Sequence, residues 1–202
     1  MILLRIKFFF YNFFLLSFLF CQNNSDLLYN ISNKILSEKG NDFDIIWYYK
    51  IDNKDWEGKG NLKIYGKNYL HLELSYMEVL IQKSLISIKY NKEDQVILDY
   101  FNRKDSSNIF SILLNEFDDF SIYDLKVKND DIELSLIPQN EVGFDFLYIN
   151  SNLKDYIPQS IRAISGNDLE ISIKVLSCSD LKKPYDIINK TLIASQKIDL
   201  RE

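Results

Sequence analysis

Apolar residues at every second position, in one short row after another, constrain this chain most. Leu70, Leu72, Leu74 and Tyr76 alternate with His71, Glu73 and Ser75, and Ile132, Leu134 and Leu136 alternate with Asp131, Glu133 and Ser135. Phe144, Phe146 and Tyr148 form a further row, and Leu169, Ile171, Ile173 and Val175 alternate with Glu170, Ser172 and Lys174. Side chains of a strand point to opposite faces in turn, so this period predicts strands with one face buried. Strand-like runs also cover roughly 43–51, 56–65, 85–90, 95–100, 121–128 and 158–165. The connectors are short and polar: Asn91 to Asp94, Asn129 to Asp131, and Gly166-Asn167-Asp168. Tight turns join antiparallel neighbours, which makes a meander. About ten or eleven such strands exceed a comfortable flat sheet, so curling into an incomplete barrel is expected.

Two segments break the period of two. Leu27, Leu28, Ile31, Ile35 and Leu36 fall on one face of a 3.6-residue period, with Ser25 or Asp26 to cap the start and Gly40 to end the helix. After Lys104-Asp105-Ser106, the residues Ile109, Phe110, Leu113 and Leu114 make apolar pairs four apart, with Ser106 or Ser107 as caps. The expected class is therefore mainly β (α+β), a curved antiparallel sheet covered by amphipathic helices. Such helices either seal an ordinary core or cover the concave face of an open barrel, and periodicity does not separate the two. Residues 178–202, with Pro184, are a weakly patterned tail, and no domain boundary interrupts the chain.

The N-terminus reads as an export signal. Arg5 and Lys7 precede an apolar run from Phe8 to Phe20 that holds half of the fourteen Phe. A secretory apolar region needs ~7–15 residues, whereas a spanning helix needs ~20. Residues 1–21 are thus expected to be a signal peptide and residues 22–202 a single domain. An uncleaved anchor is the alternative. Lipidation of Cys21 is another, although Phe20 and Phe18 stand where such a signal has a small residue and Leu. If Cys21 leaves with the signal, Cys178 is the only thiol and no intramolecular disulfide forms.

Catalytic chemistry is poorly supplied. With 24 Lys+Arg against 29 Asp+Glu and no basic block, no nucleic-acid partner is expected. His71 is the only histidine, which excludes a two-His metal site, and it reads as an exposed strand residue. No Gly-rich phosphate loop, G-x-S-x-G elbow or Cys-x-x-Cys occurs. The acid pairs Asp118-Asp119 and Asp130-Asp131 could serve a glycosidase, but they stand in turn-like stretches. Cys178 reads as a small buried residue, and Trp47 and Trp56 as packing. The expectation is a protein that is not an enzyme and needs no metal or cofactor.

A family resemblance adds to this. Gly60-Asn61-Leu62-Lys63-Ile64-Tyr65 running into Tyr69-Leu70-His71-Leu72-Glu73-Leu74, after a signal and an amphipathic helix, resembles the start of the periplasmic outer-membrane lipoprotein carriers, the LolA family. Ile86 to Asn91 followed by Gln95 to Leu98 looks like that family's next hairpin. Ile109 to Leu114 falls where the family has a cavity-covering helix, and the strand order continues from Tyr123 to Val175. Two positions depart from the family. Gly66-Lys67 stands where an Arg-Pro pair often ties down the lid, and Lys83-Ser84 where Asp-Gly is common. The resemblance implies a periplasmic, monomeric carrier of lipoprotein acyl chains or other lipid, passing cargo from an inner-membrane donor complex to an outer-membrane acceptor. A lipid- or polypeptide-sensing module of the same fold, or a lipid-anchored receptor, is the alternative. The cavity lining would be Leu62, Ile64, Leu70, Leu72, Leu74, Leu134, Leu136, Phe144 and Phe146, and the lid Ile109, Phe110, Leu113 and Leu114.

Overall fold

The structure is a computed structural model that describes residues 23–52, 54–105, 107–140, 143–166 and 168–201. The expected signal segment 1–21 lies outside the described residues, as does Ser106. Helix α1 (Asn23–Ile35) leads into six strands: β1 (Asn41–Ile51), β2 (Lys54–Tyr65), β3 (Tyr69–Leu74), β4 (Met77–Gln82), β5 (Leu85–Tyr90) and β6 (Gln95–Tyr100). A crossover carries α2 (Ile109–Leu114). Then follow β7 (Phe120–Lys128), β8 (Asp131–Pro138), β9 (Phe146–Asn152), β10 (Pro158–Ser165), β11 (Leu169–Asp180), α3 (Pro184–Ile188) and β12 (Gln196–Asp199).

The twelve strands among the described residues form one sheet in the order β12-β6-β5-β4-β3-β2-β1-β11-β10-β9-β8-β7. Two meanders meet where β11 pairs antiparallel with β1, and β7 and β6 end up near opposite edges. The sheet curves without closing, as expected of an incomplete barrel. This topology decides where α2 must go. The chain leaves β6 on one side of the sheet and re-enters at β7 on the other, so residues 101–119 have to cross the open concave face. All six α2 residues are buried there.

The concave face holds the main core: Ile31, Ile35 and Leu36 from the α1 segment, Phe43, Ile45 and Trp47 from β1, and the inward rows of the other strands. Gly60 on β2 allows the close approach of β3, since a Cβ there would lie 2.4 Å from the Glu73 carbonyl oxygen and from Leu74 Cδ2. Gly40, at φ +78°, turns the chain from the α1 segment into β1. The buried Asn41 side chain donates Nδ2–H bonds to the carbonyls of Lys34 and Ile35, 2.6 and 3.0 Å away. Carbonyls left over at the end of α1 thereby find a partner.

Twelve strands exceed the expected ten or eleven, for two physical reasons. The row Leu70 to Tyr76 is broken by a turn at Ser75-Tyr76, and β4 follows with Val79, Leu80 and Ile81 all buried. Val79 and Ile81 enter the main core, while Leu80 enters a second core on the convex face. A strand covered on both faces does not alternate, so it escapes a period-two reading. The second core also explains the tail. Leu181, Ile187 and Leu192 pack over Leu80 and Val96, and β12 adds itself parallel to β6.

Cap positions differ in detail. Helix α1 begins ahead of Ser25 and Asp26. Asn108, not Ser106 or Ser107, caps α2, its side-chain oxygen accepting the Phe110 N–H at 2.9 Å.

Candidate functional site

One end of the concave face is not filled. A cavity of about 490 Å³ lies between the sheet and the start of α2. Its floor is apolar and buried: Trp47, Val79, Ile109, Phe110 and Ile171. Its mouth is aromatic and partly exposed, with Tyr49, Trp56, Tyr76 and Tyr90. Met77 and Ile88 complete the wall, and Asp105, Ser107 and Asn108 give the rim its polar groups. Register assembles these residues. Tyr49 is opposite Trp56 across β1 and β2, and Met77 is opposite Tyr90 across β4 and β5. Trp47 stacks on Phe110 with ring centroids 5.7 Å apart, and the Tyr49 and Trp56 rings lie tilted at 5.6 Å. Burial, with Tyr49 beside it, raises the Tyr76 hydroxyl pKa above its ordinary value. The Tyr76 hydroxyl thus stays neutral, and the aromatic wall offers apolar contact with a few hydrogen-bonding tips.

Both flanks of α2 are tied to the turn between β2 and β3. Behind the helix, Lys67 Nζ lies 2.6 Å from Glu116 Oε2. Ahead of it, Arg103 donates to Asn68 Oδ1 at 2.6 Å. Glu116 and Phe117, at φ +58° and +62°, hold two consecutive left-handed residues without glycine. Each such residue costs about 1–3 kcal/mol and persists only where its surroundings fix it. Phe117 is fully buried in the main core and Glu116 is held by Lys67, which fixes both.

No protein-family model matches the sequence. No curated protein matches it either. Among solved structures, this one is similar to that of an uncharacterized conserved protein from Thermus thermophilus, with a TM-score of 0.57 at 8% identity over 87% of this chain and 98% of that one. A LolA superfamily protein from Nitrosomonas europaea gives a TM-score of 0.46 at 9% identity, covering 82% of this chain and 97% of its own. A putative outer membrane lipoprotein-sorting protein domain from Vibrio parahaemolyticus gives 0.46 at 7%, covering 80% and 94%. The open, helix-covered sheet is also the architecture that the family resemblance in the sequence implies. The fold is shared with the Thermus thermophilus protein, an open sheet that does not close into a barrel.

Within this open sheet the expected lining residues fall into two places. Leu62, Ile64, Leu70, Leu72, Leu74, Leu134, Leu136 and Phe144 are packed in the main core beyond the cavity. Leu62 and Ile64 border, with Leu113, a gap of only about 10 Å³. Phe146 lies instead on the outer face, 39% exposed and stacked on Tyr148. The reason is a change of parity: Phe144 tucks inward before β9 starts, and within β9 the inward positions belong to Leu147 and Ile149. Of the expected lid, Ile109 and Phe110 wall the cavity, while Leu113 and Leu114 are buried deeper. The lining that sequence reasoning missed is aromatic. Trp47 and Trp56 read as packing, yet Trp-Tyr-Tyr in β1 and Trp56 opposite were a visible concentration of large rings on one hairpin. The Gly66-Lys67 departure also has a structural counterpart, since Lys67 itself reaches the segment behind α2.

His71 corrects another expectation. It is 3% exposed, on the convex side of β3 and under the C-terminal segment. Its Nε2 lies 2.6 Å from Glu78 Oε1, to which Lys190 Nζ also reaches at 2.9 Å. Burial lowers the His71 pKa, against the opposing pull of Glu78. Burial also pushes Glu78 up, but its bonds to Lys190 and His71 outweigh this and hold it below the ordinary carboxylate value. Glu73 brings a third ligand-type atom within 4.8 Å, though the ammonium of Lys190 already sits against Glu78. The arrangement pins the tail to the sheet. Of the acid pairs, Asp118, Asp119 and Asp130 stand in turns and Asp131 opens β8: Asp119 accepts from Asn115, Asp130 pairs with Lys154, and Asp131 accepts from Gln159.

Proposed function

We propose that this chain is a non-catalytic carrier that holds lipid or lipoprotein acyl chains in the cavity under α2 and moves them through the periplasm toward the outer membrane. The observation that carries this reading is the cavity itself, an apolar and aromatic hollow of about 490 Å³ at the open end of an unclosed sheet. Each methylene moved out of water gains about 0.8 kcal/mol, so a dry concave wall suffices for affinity and no cofactor is required. Trp47, Val79 and Phe110 form the deep contact surface, and the core rows around Leu72 and Leu134 give that surface a rigid base. Helix α2 is the element that yields, because Ile109 and Phe110 belong to the cavity wall while the ties at Lys67 and Arg103 lie outside it. Export by residues 1–21 would bring the chain to the compartment where such cargo travels, and handover follows differential affinity for donor and acceptor.

The test is extraction. Vesicles carrying a fluorescent acylated peptide are mixed with the purified mature chain, and the vesicles are removed by sedimentation. A carrier leaves labelled peptide in the supernatant as a complex with the protein and delivers it to fresh acceptor vesicles. A supernatant without label, from protein that remains folded, rejects the carrier reading.

A further inference from the structure

We infer, building on the acyl-chain reading above, that the cavity takes one linear chain at a time and selects a head group that is uncharged or cationic. Capacity follows from volume. A methylene needs about the room of a liquid water molecule, ~30 Å³, so about 490 Å³ accommodates a chain of roughly 16 carbons. The neighbouring gap between Ile35, Leu62, Ile64 and Leu113 is about 10 Å³, around the threshold for a single water. A second chain therefore needs Leu113, Leu114 and Phe117 to leave the core, and all three are fully buried. One chain needs no such change.

Head-group preference follows from the mouth. The buried floor is apolar, so a chain enters tail first and leaves its head among Tyr49, Trp56, Tyr76 and Tyr90. Trp56 is 42% exposed, which places its ring at the solvent boundary. Aromatic faces attract cations, quaternary ammonium groups above all. Asp105 is the one charged residue among the described residues that line the cavity, and no Lys or Arg joins it. Its carboxylate repels an anionic head and attracts a cationic one. Phosphate or carboxylate recognition needs the opposite arrangement, with Arg or Lys donors turned inward.

Palmitoylcholine, monopalmitoylglycerol and palmitate, each below its micelle threshold, separate the possibilities by isothermal titration and native mass spectrometry of the mature chain. The expected result is a one-to-one complex with the first two and at least tenfold weaker binding of palmitate. Asp105→Asn keeps an acceptor for Ser107 and removes the charge, so it should bring palmitate closer to the neutral ligand. Met77→Trp fills part of the wall and should shift the preferred chain from hexadecyl toward decyl homologues. Palmitate bound as tightly as palmitoylcholine overturns the head-group selection. Two palmitoyl ligands per protein, or a chain-length preference unmoved in folded Met77→Trp, overturns the single-chain capacity. Failure of every ligand to bind folded protein instead removes the acyl-chain reading on which the inference rests.

Discussion

His71 is the only histidine, so the pH range between the carboxylates and the α-amino group isolates it. Its folded pKa lies below the ordinary 6.5, because burial disfavours the imidazolium more than Glu78 favours it. The unfolded chain therefore binds a proton in that window that the folded chain does not. Stability is complete above pH 6.5 and declines as the pH falls from there toward the folded pKa. Glu78, also held low, acts in the same sense at more acid pH, its contribution being lost as the pH falls through its folded value. The melting temperature should fall by a few degrees between about pH 7.5 and 5.5, and His71→Gln should flatten that slope; equal slopes in both proteins contradict this account. A second residue-scale contrast separates core from cavity. Leu134→Glu buries a carboxylate without a partner, at a cost of several kcal/mol, and should abolish the cooperative melt. Met77→Glu, on the partly buried cavity wall, should keep a native circular dichroism spectrum and lose ligand binding. An unfolded Met77→Glu protein contradicts the assignment of that wall.

At the scale of elements, α2 and the C-terminal segment do different work. The Lys67–Glu116 pair is partly exposed, and such pairs contribute about 0.2–1 kcal/mol. Lys67→Ala should leave the melting temperature almost unchanged while amide hydrogens of residues 109–114 exchange several-fold faster. Exchange as slow as in the parent protein means that this tie does not gate the helix. The C-terminal segment behaves as structure rather than as a gate. Ending the chain at Asp180 removes Leu181, Ile187 and Leu192 from the second core, each worth about 1.5–3 kcal/mol when buried. It also uncovers the Leu80 and Val96 face and the β6 edge, which invites self-association. The truncated chain should therefore melt non-cooperatively or aggregate, and a soluble, cooperatively folding truncation contradicts the second core.

For the molecule as a whole, what alternation could reveal is what one buried face dictates. The strands with a single covered face, such as β8 and β11, and the apolar face of α1 are legible because period and burial agree. Where two faces are covered the signal vanishes: β4 buries the consecutive residues Val79, Leu80 and Ile81, and His71 reads as solvent-exposed because nothing local announces that the tail returns over it. The cavity was illegible for a related reason. A hollow and a packed core draw on the same residue types, and only the missing volume between Trp47, Val79 and Phe110 tells them apart. That missing volume separates a carrier from a packed barrel, and both tryptophans of the chain, Trp47 and Trp56, line it. The most direct measurement is thus quenching of intrinsic tryptophan fluorescence by a monoacylglycerol brominated along its chain, titrated into the mature protein with the unbrominated lipid as control. The expected result is saturable quenching that ends at one lipid per protein, reversed by excess unbrominated lipid and absent in folded Met77→Glu. Fluorescence unchanged by the brominated lipid, in protein that melts cooperatively, means that the cavity holds no acyl chain.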